Sequence, residues 1–238
     1  MRATGIIAVA CLVSMGLLLS SGCGTALYEA RAMGLKGYWT FDEGTGDGVT
    51  NAVGTNHGRI QGDLKRTDGK RGKAVAFDGN GYVLIDTAPY LGATRYTFAA
   101  WVKLKDTGDY QYIVWRGGPA FPEDTECRNL DIWIRMDGGL SGILNYQAAG
   151  ETRFLLEGSK KVADDRWHLV VCVNDGKTVT FYVDGVKDAE GTLTGPLAAN
   201  DFPLWIGARP SNVAATGIID EVRFFDRALT PEQVAALK

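Results

Sequence analysis

Four side chains with oxygen donors stand where short apolar runs end or are interrupted, a placement compatible with a metal site. They are Asp42, Asp78, Asn80 and Asp220. Calcium binds six to eight oxygen atoms at roughly 2.3–2.6 Å, from carboxylates, amides, carbonyls and water. The four residues therefore predict a structural calcium site. Aspartate and asparagine also form turns by bonding to their own backbone, so a role as simple turn formers stays open.

Asp220 has the strongest physical requirement for a partner. In the run Ile218–Phe224 apolar residues alternate with others, which indicates a strand and places Asp220 on the same face as Val222. An unpaired carboxylate is costly to bury unless a cation or several hydrogen-bond donors compensate its charge. We therefore expect Asp220 either to bind a cation or to accept several N–H groups.

A second candidate site is a binding surface on one strand. Asp131, Trp133 and Arg135 alternate with apolar residues, so one face presents an acid, an aromatic ring and a guanidinium. Aromatic faces stack on the C–H surfaces of sugars and charged groups bind sugar hydroxyls, so the triplet predicts a saccharide ligand. Two alternatives remain: Trp133 belongs to the core, as most aromatics of a sandwich do, and Arg135 is a solvated partner of Asp131.

The sequence offers little support for catalysis. The acidic pairs in Glu123–Glu126 and Asp220–Glu221 lack the same-face spacing that would bring two carboxyl groups to the roughly 5–5.5 Å of a retaining glycosidase. His57 and His168 have no nucleophile implied beside them, and a structural role is expected for His168. The formal charge of -3 provides no basic stripe, so nucleic acid is not an expected partner.

The elements that must position these residues are strands. From Gly37 onward, short β-branched and aromatic runs are separated by turn residues, and the chain contains 31 glycines. This pattern predicts an all-β fold, a two-sheet antiparallel sandwich. One short C-terminal helix is predicted at residues 231–237, because Thr230, Pro231 and Gln233 form a capping-box sequence.

The N-terminus has the composition of an export signal. Arg2 precedes the apolar stretch Ile6–Leu19, which is short for a membrane span. The stretch ends in Ser20–Cys23, which resembles the lipobox of bacterial lipoproteins. The resemblance implies removal of residues 1–22 and lipidation of Cys23, with Gly24 favouring an outer-membrane address. Ordinary secretion and a retained anchor are the alternatives.

The rest of the chain divides into a linker, residues 23–36, and one domain, residues 37–238. Export permits disulfides, and Cys127 and Cys172 are the two cysteines that follow Cys23. They form either a disulfide or two unpaired thiols, since a buried free cysteine behaves as a small apolar residue.

Six segments of the domain carry a resemblance when taken together and in order. They are Gly37–Gly44, Gly72–Gly79, Phe98–Lys103, Trp167–Val170, Phe181–Gly185 and Gly217–Thr230. The set resembles the laminin-G-like, concanavalin-A-like jelly-roll domains of bacterial surface proteins. The resemblance implies a twisted two-sheet jelly roll, and it also implies a calcium ion that ties the first and last strands together.

These observations predict a non-catalytic recognition module on a surface-anchored lipoprotein, with an extracellular polysaccharide or other glycan as its partner. A jelly roll hosts many functions, so two alternatives are kept. One is an interaction module for an envelope protein, anchored by Trp133, Tyr110 and Phe121. The other is a glycan hydrolase or lyase whose carboxylates come from separate strands.

Overall fold

The computed structural model describes residues 23–117, 129–145, 153–197, 201–210 and 213–238. Cys127 and Phe121 lie outside the described residues. The helices are α1 (Cys23–Ala32), α2 (Pro231–Ala235) and a 3-10 turn at Pro89–Gly92. In chain order the strands are β1 (Leu35–Trp39), β2 (Gly48–Val49), β3 (Gly58–Gln61), β4 (Lys65–Asp68), β5 (Lys73–Asp78), β6 (Tyr82–Ile85), β7 (Tyr96–Leu104), β8 (Gln111–Arg116), β9 (Leu130–Ile134), β10 (Gly139–Asn145), β11 (Arg153–Lys161), β12 (His168–Asn174), β13 (Thr178–Val183), β14 (Val186–Thr192), β15 (Leu204–Ile206), β16 (Ala208–Arg209), β17 (Val213–Ala214) and β18 (Thr216–Phe225).

The strands form two large antiparallel sheets and one small hairpin. Sheet I has the order β14-β13-β12-β7-β18-β5-β4, with β1 also paired to β18. Sheet II has the order β11-β10-β9-β8-β15-β6-β3-β2, and β16 pairs with β17. Neighbours in these sheets are often remote in the chain, as in a jelly roll. The prediction of an all-β, two-sheet antiparallel sandwich with a short C-terminal helix is confirmed.

The main core lies between the two sheets and follows from alternation along each strand. In β7, for example, Phe98, Ala100 and Val102 point into this core, whereas Ala99 and Trp101 belong to a second cluster on the outer face of sheet I. Because successive strand residues point to opposite faces, β7, β12, β13 and β18 each contribute to both clusters.

The outer face of sheet I is covered by the C-terminal helix. The Thr230 hydroxyl accepts from the Gln233 N–H at 3.3 Å, and the Gln233 side chain accepts from the Thr230 N–H at 2.9 Å. This is the predicted capping box, and the helix begins at Pro231 as expected. Val234 and Leu237 then pack on the outer cluster.

The segment predicted as a linker, residues 23–36, contains α1 and the beginning of the first strand. Leu35 is buried in the outer cluster of sheet I and lies opposite Phe225, so β1 begins two residues before Gly37. Among the described residues, no helix has both the length and the apolar character needed to cross a membrane.

β18 pairs with two strands along one of its edges. Its first part, Thr216–Ile219, pairs with β5, and its last part, Val222–Phe225, pairs with β1. Between them lies a β-bulge at which Glu221 has a φ of 54°, a left-handed conformation that is uncommon outside glycine.

Because of this bulge, the prediction that Asp220 and Val222 share one face of the strand is wrong. Because the bulge adds a residue to the strand, Ile219 and Val222 both face the main core. Asp220 lies opposite Trp101, whose side chain belongs to the outer cluster of sheet I, and therefore does not share the face of Val222.

Candidate functional site

The outer face of sheet II carries a row of aromatic side chains. Strand alternation directs them away from the main core, and neighbouring strands bring them side by side. From one side of the sheet to the other, the row consists of Tyr82 on β6, Trp205 on β15, Trp115 and Tyr112 on β8, and Trp133 on β9.

Tyr82 and Trp205 form the accessible end of this row. Their ring centroids lie 4.0 Å apart with an interplanar angle of 21°, and both side chains are partly exposed. The inward-facing neighbours of Trp205, Leu204 and Ile206, are fully buried and hold the short strand against the core. The stacked pair is therefore a rigid aromatic surface.

A cavity of about 380 Å³ opens over this pair. One side of it is the turn Gly79–Gly81, and the other is formed by Ala208, Arg209, Pro210 and Ala214. Asn80 and Arg209 thus place an amide and a guanidinium beside the two rings. Ligand pockets commonly combine apolar or aromatic walls with a few polar groups in this way.

A second cavity has a similar size but different walls. It has a volume of about 370 Å³ and lies between α1, β1 and α2. Aliphatic and small side chains such as Met33, Leu35 and Leu237 form much of its surface, with Tyr38 and Arg223 on one side. It lacks the stacked aromatic pair found on sheet II.

The rest of the aromatic row is buried, and the β16–β17 hairpin packs against it. The Arg209 guanidinium lies 5.0 Å from the centroid of the Tyr112 ring, and its Nη1 donates to the Tyr112 hydroxyl at 3.1 Å. Val213 packs against the same cluster. Tyr112 in turn stacks on Trp133, with ring centroids 5.8 Å apart.

The predicted triplet Asp131, Trp133 and Arg135 is largely withdrawn from solvent or engaged in local contacts. Asp131 and Trp133 lie on the outer face of sheet II, but their exposed fractions are 1% and 8%. Arg135 donates to the carbonyls of Leu140 on β10 and Gly158 on β11, at 3.0 and 3.1 Å. It thereby links the turn that follows β9 to these two strands. Trp133 therefore presents little ring surface to a saccharide, and Arg135 is engaged in local structure.

Sequence reasoning missed Tyr82 and Trp205 as binding candidates. Their signal was present, because in Leu204–Ile206 and in Tyr82–Ile85 the aromatic residue alternates with aliphatic ones that face the core. Alternation gives the face of a residue, but it gives no information about whether another segment covers that face.

The predicted calcium ligands form two separate groups. Asp42 Oδ1 accepts from the Lys73 N–H at 2.7 Å, and Asp220 Oδ2 accepts from the Arg71 N–H at 3.0 Å, so both carboxylates bind the backbone where β5 begins. Asp78 lies at the opposite end of β5, where its Oδ1 accepts from the Asn80 N–H at 3.0 Å.

These four residues do not surround one point, so they do not fit a single calcium ion. In the part of the chain that the structure describes, no group of three or more histidine, cysteine or acidic side chains is arranged to hold a metal. Asp78 and Asn80 have the geometry of a turn that is closed by its own side chain, which is the alternative that the sequence left open.

Asp220 is fully buried, and its charge is compensated by backbone donors. Its Oδ1 accepts from the Glu221 N–H at 2.7 Å, in addition to the bond from Arg71. Burial nevertheless raises the pKa of Asp220 from 3.8 to about 6, because desolvation outweighs these donors and the Glu221 charge adds to the increase. Asp220 therefore retains a proton at a higher pH than an exposed aspartate does.

Glu221 is the centre of a second polar network on the same bulge. It is buried and paired with Arg223, and the Tyr38 hydroxyl donates to its Oε1 at 2.8 Å. Arg71 approaches the same carboxylate at 3.4 Å. Burial raises the pKa of Tyr38 to about 12, so the hydroxyl remains a donor.

His168 and Cys172 have structural surroundings. The His168 ring nitrogens lie 2.8 Å from an Asp184 carboxylate oxygen and 3.0 Å from one of Asp164, so both are engaged by carboxylates. Cys172 is a buried free thiol in the core, where desolvation raises its pKa to about 12. Neither group has the surroundings of an activated base or nucleophile.

The fold and this face together define a β-sandwich of the lectin-like class with an aromatic cavity on one sheet. The chain belongs to the concanavalin A-like lectin/glucanases superfamily, because the family model Laminin_G_3 matches residues 77–235, more than half of its length. The predicted resemblance is thereby confirmed. No curated protein is significantly similar to the chain in sequence.

Several solved structures share the fold at low sequence identity. The binding domain of Paraclostridial Mosquitocidal Protein 1 has a TM-score of 0.69 and 14% identity, over 86% of this chain and 51% of that one. Domain 4 of AbnA, an extracellular arabinanase from Geobacillus stearothermophilus in complex with arabinotriose, has a TM-score of 0.61 and 22% identity, over 86% and 98%. Trypanosoma rangeli sialidase with the inhibitor DANA has a TM-score of 0.63 and 15% identity, over 85% and 32%. The chain thus spans about half of the first structure and a third of the sialidase.

The raised pKa of Asp220 predicts a pH dependence of stability that Asp220→Asn should abolish. The folded protein holds this proton up to about pH 6, whereas the unfolded chain releases it near 3.8. The contribution of Asp220 to the free energy of unfolding should therefore fall as the pH rises through this window, by at most about 3 kcal/mol, and level off above it. The difference between the wild type and Asp220→Asn isolates this contribution from that of carboxyl groups whose pKa is lowered, such as Asp106 and Asp137. Urea unfolding at several pH values, with a chelator present, measures this fall.

Asp42→Asn is the matched control, because Asp42 is an exposed carboxylate beside the same loop. It should keep the pH dependence of the wild type. If Asp220→Asn also kept it, the buried carboxyl would titrate like an ordinary aspartate.

The structural calcium expected from the sequence stays a prediction, separate from the four-residue set. An ion that binds only the folded state raises the melting temperature. Melting curves in calcium and in chelator, combined with elemental analysis, test it. Superimposable curves and a metal-free protein would count against any calcium site.

Proposed function

We propose that this chain is a glycan-binding recognition module whose ligand sits in the cavity over Tyr82 and Trp205. The observation that carries the proposal is the partly exposed stacked pair at the base of a cavity of about 380 Å³. A rigid aromatic surface binds the C–H face of a sugar with little loss of conformational entropy. The volume lies within the range of about 300–1,000 Å³ that is usual for small-molecule sites.

The polar groups around the cavity suit hydroxyl groups. The exposed side chain of Asn80 offers both a donor and an acceptor, and Arg209 offers guanidinium donors. Arg209 is also held in place by its contact with Tyr112, so its position is set before a ligand arrives. The cavity therefore combines stacking with fixed hydrogen-bonding groups.

The comparisons support a saccharide as the ligand class and suggest a first probe. A structural neighbour of nearly the same length was solved with arabinotriose, and another relative of the fold is a sialidase. Since these similarities concern the fold, arabinotriose is proposed here as a probe, and a broader glycan array is needed beside it.

Trp205→Ala should remove most of the binding. An aromatic anchor in the centre of a site commonly contributes 2 kcal/mol or more, which corresponds to roughly thirtyfold in affinity. We expect Tyr82→Ala to act in the same direction but more weakly, because the indole offers the larger surface. A glycan array followed by calorimetry with arabinotriose and any array ligand measures both effects.

Trp167→Ala is the matched control, because Trp167 is a partly buried tryptophan that packs on the outer face of sheet I. It should leave affinity unchanged. Retained binding in Trp205→Ala would reject this cavity, and loss of binding in a folded Trp133→Ala protein would instead support the site predicted on β9. A blank array together with capture of an envelope protein would favour the interaction-module alternative.

We also propose that the module is held at a membrane surface by a lipid on Cys23. The support is the lipobox-like sequence, together with the short stretch of chain between Cys23 and the first strand, which begins at Leu35. Two or more acyl chains on one cysteine would anchor the domain stably. The binding face would then be presented outside the membrane.

The lipid anchor predicts that Cys23→Ser abolishes metabolic labelling with a palmitate analogue. Cys11→Ser, a change of the same type inside the apolar stretch, should label like the wild type. In-gel fluorescence after labelling distinguishes the two variants. Equal labelling of Cys23→Ser and the wild type would contradict the anchor.

A further inference from the structure

We infer that the site binds the end of a glycan chain, with the terminal sugar unit over Trp205, rather than an internal stretch of a polysaccharide. This inference rests on the proposed function and adds the class of ligand to it. The inference follows from the surface around Tyr82 and Trp205. This surface is blocked on the side of the β16–β17 hairpin and open on the side of β3.

The blocked side is the hairpin of β16 and β17. Beyond Trp205 the aromatic row continues with Trp115, whose ring meets that of Trp205 edge-on at 6.3 Å. Trp115 is only 1% exposed although it points away from the main core. Arg209 lies over the neighbouring Tyr112 ring, and Val213 packs against the cluster that contains Trp115. With Trp115 buried, a sugar chain has no stacking surface in that direction.

The turn before β6 forms a second wall of the cavity, and it is hydrogen-bonded to the segment that follows the β16–β17 hairpin. The Gly79 N–H donates to the Ala215 carbonyl at 3.0 Å, and Asp78 lies opposite Thr216 in the ladder between β5 and β18. The turn and the segment that follows the hairpin are therefore bonded to each other. Together they close one end of the cavity.

The open side lies across β6 and β3. Gln61 lies opposite Tyr82 and Arg59 lies opposite Leu84, so these side chains share the outer face of sheet II. Gln61 is half-buried and Arg59 is exposed. A chain whose last unit sits on Trp205 can therefore continue over Tyr82 and meet the polar groups of β3.

The site has a terminal subsite over Trp205 and a secondary subsite at Gln61. The affinity of variants for ligands of different length should distinguish the two. Trp205→Ala should weaken all ligands, including the shortest. Gln61→Ala should weaken arabinotriose, or the array ligand of that length, by about tenfold or less while leaving the corresponding monosaccharide unaffected. An equal loss for the monosaccharide would contradict the division into two subsites.

Blocked chain ends provide the decisive experiment. Arabino-oligosaccharides of two to six units, and the same length series of any array ligand, are titrated in three forms: free, capped at the reducing end, and capped at the non-reducing end. We expect one cap to abolish binding, the other to be tolerated, and affinity to level off after about three units.

Two results would overturn the inference in different ways. Binding that tolerates both caps and continues to strengthen with length would mean internal recognition, and the proposed function would survive. An absence of binding to every probe, with the wild-type protein folded, would reject the proposed function itself.

Discussion

The structure depends on how β18 shares one edge between two strands. β5 pairs with its first part and β1 with its last, and two ladders that meet on one edge leave backbone groups that need other partners. The carboxylates of Asp42 and Asp220 lie at this junction and accept the N–H groups of Lys73 and Arg71, where β5 begins. The bulge at Glu221 gives the strand the extra residue that the junction requires. The beginning and the end of the domain are thereby joined through hydrogen bonds to two carboxylates.

The same pair of strands also positions the cavity on the opposite sheet. At the far end of the ladder between β5 and β18, β5 runs through the turn at Gly79 into β6, and the β16–β17 hairpin precedes β18. The bond from Gly79 to Ala215 joins these two connections. Because both walls of the cavity continue from one rigid ladder, the stacked rings of Tyr82 and Trp205 are held in a fixed frame. A preorganised site of this kind loses less entropy when a ligand binds.

The aromatic residues on the outer face of sheet II have two roles: some pack in a buried cluster, and others line the proposed binding cavity. Trp115, Tyr112 and Trp133 are covered and pack as a small third cluster, whereas Tyr82 and Trp205 keep part of their surface free. Arg209 connects the two groups, since it lies over Tyr112 and also lines the cavity. The hairpin that stabilises the covered part of the row is thus also the wall that limits the length of the binding surface.

The sequence by itself determined the fold class, the superfamily and the beginning of the C-terminal helix. These features depend on local patterns: alternation within strands such as β7 and β13, and the capping box of Thr230 and Gln233. The polar edge strands β11 and β14 were not predicted, because edges exposed to water need no apolar alternation. Only the tertiary structure decided the position of Asp220, the burial of Trp133 and the accessibility of Trp205. The position of Asp220 depends on a bulge where two ladders from distant strands meet, and the exposure of the two tryptophans depends on which other segments pack on sheet II. The spacing of neighbouring residues contains no record of these long-range contacts.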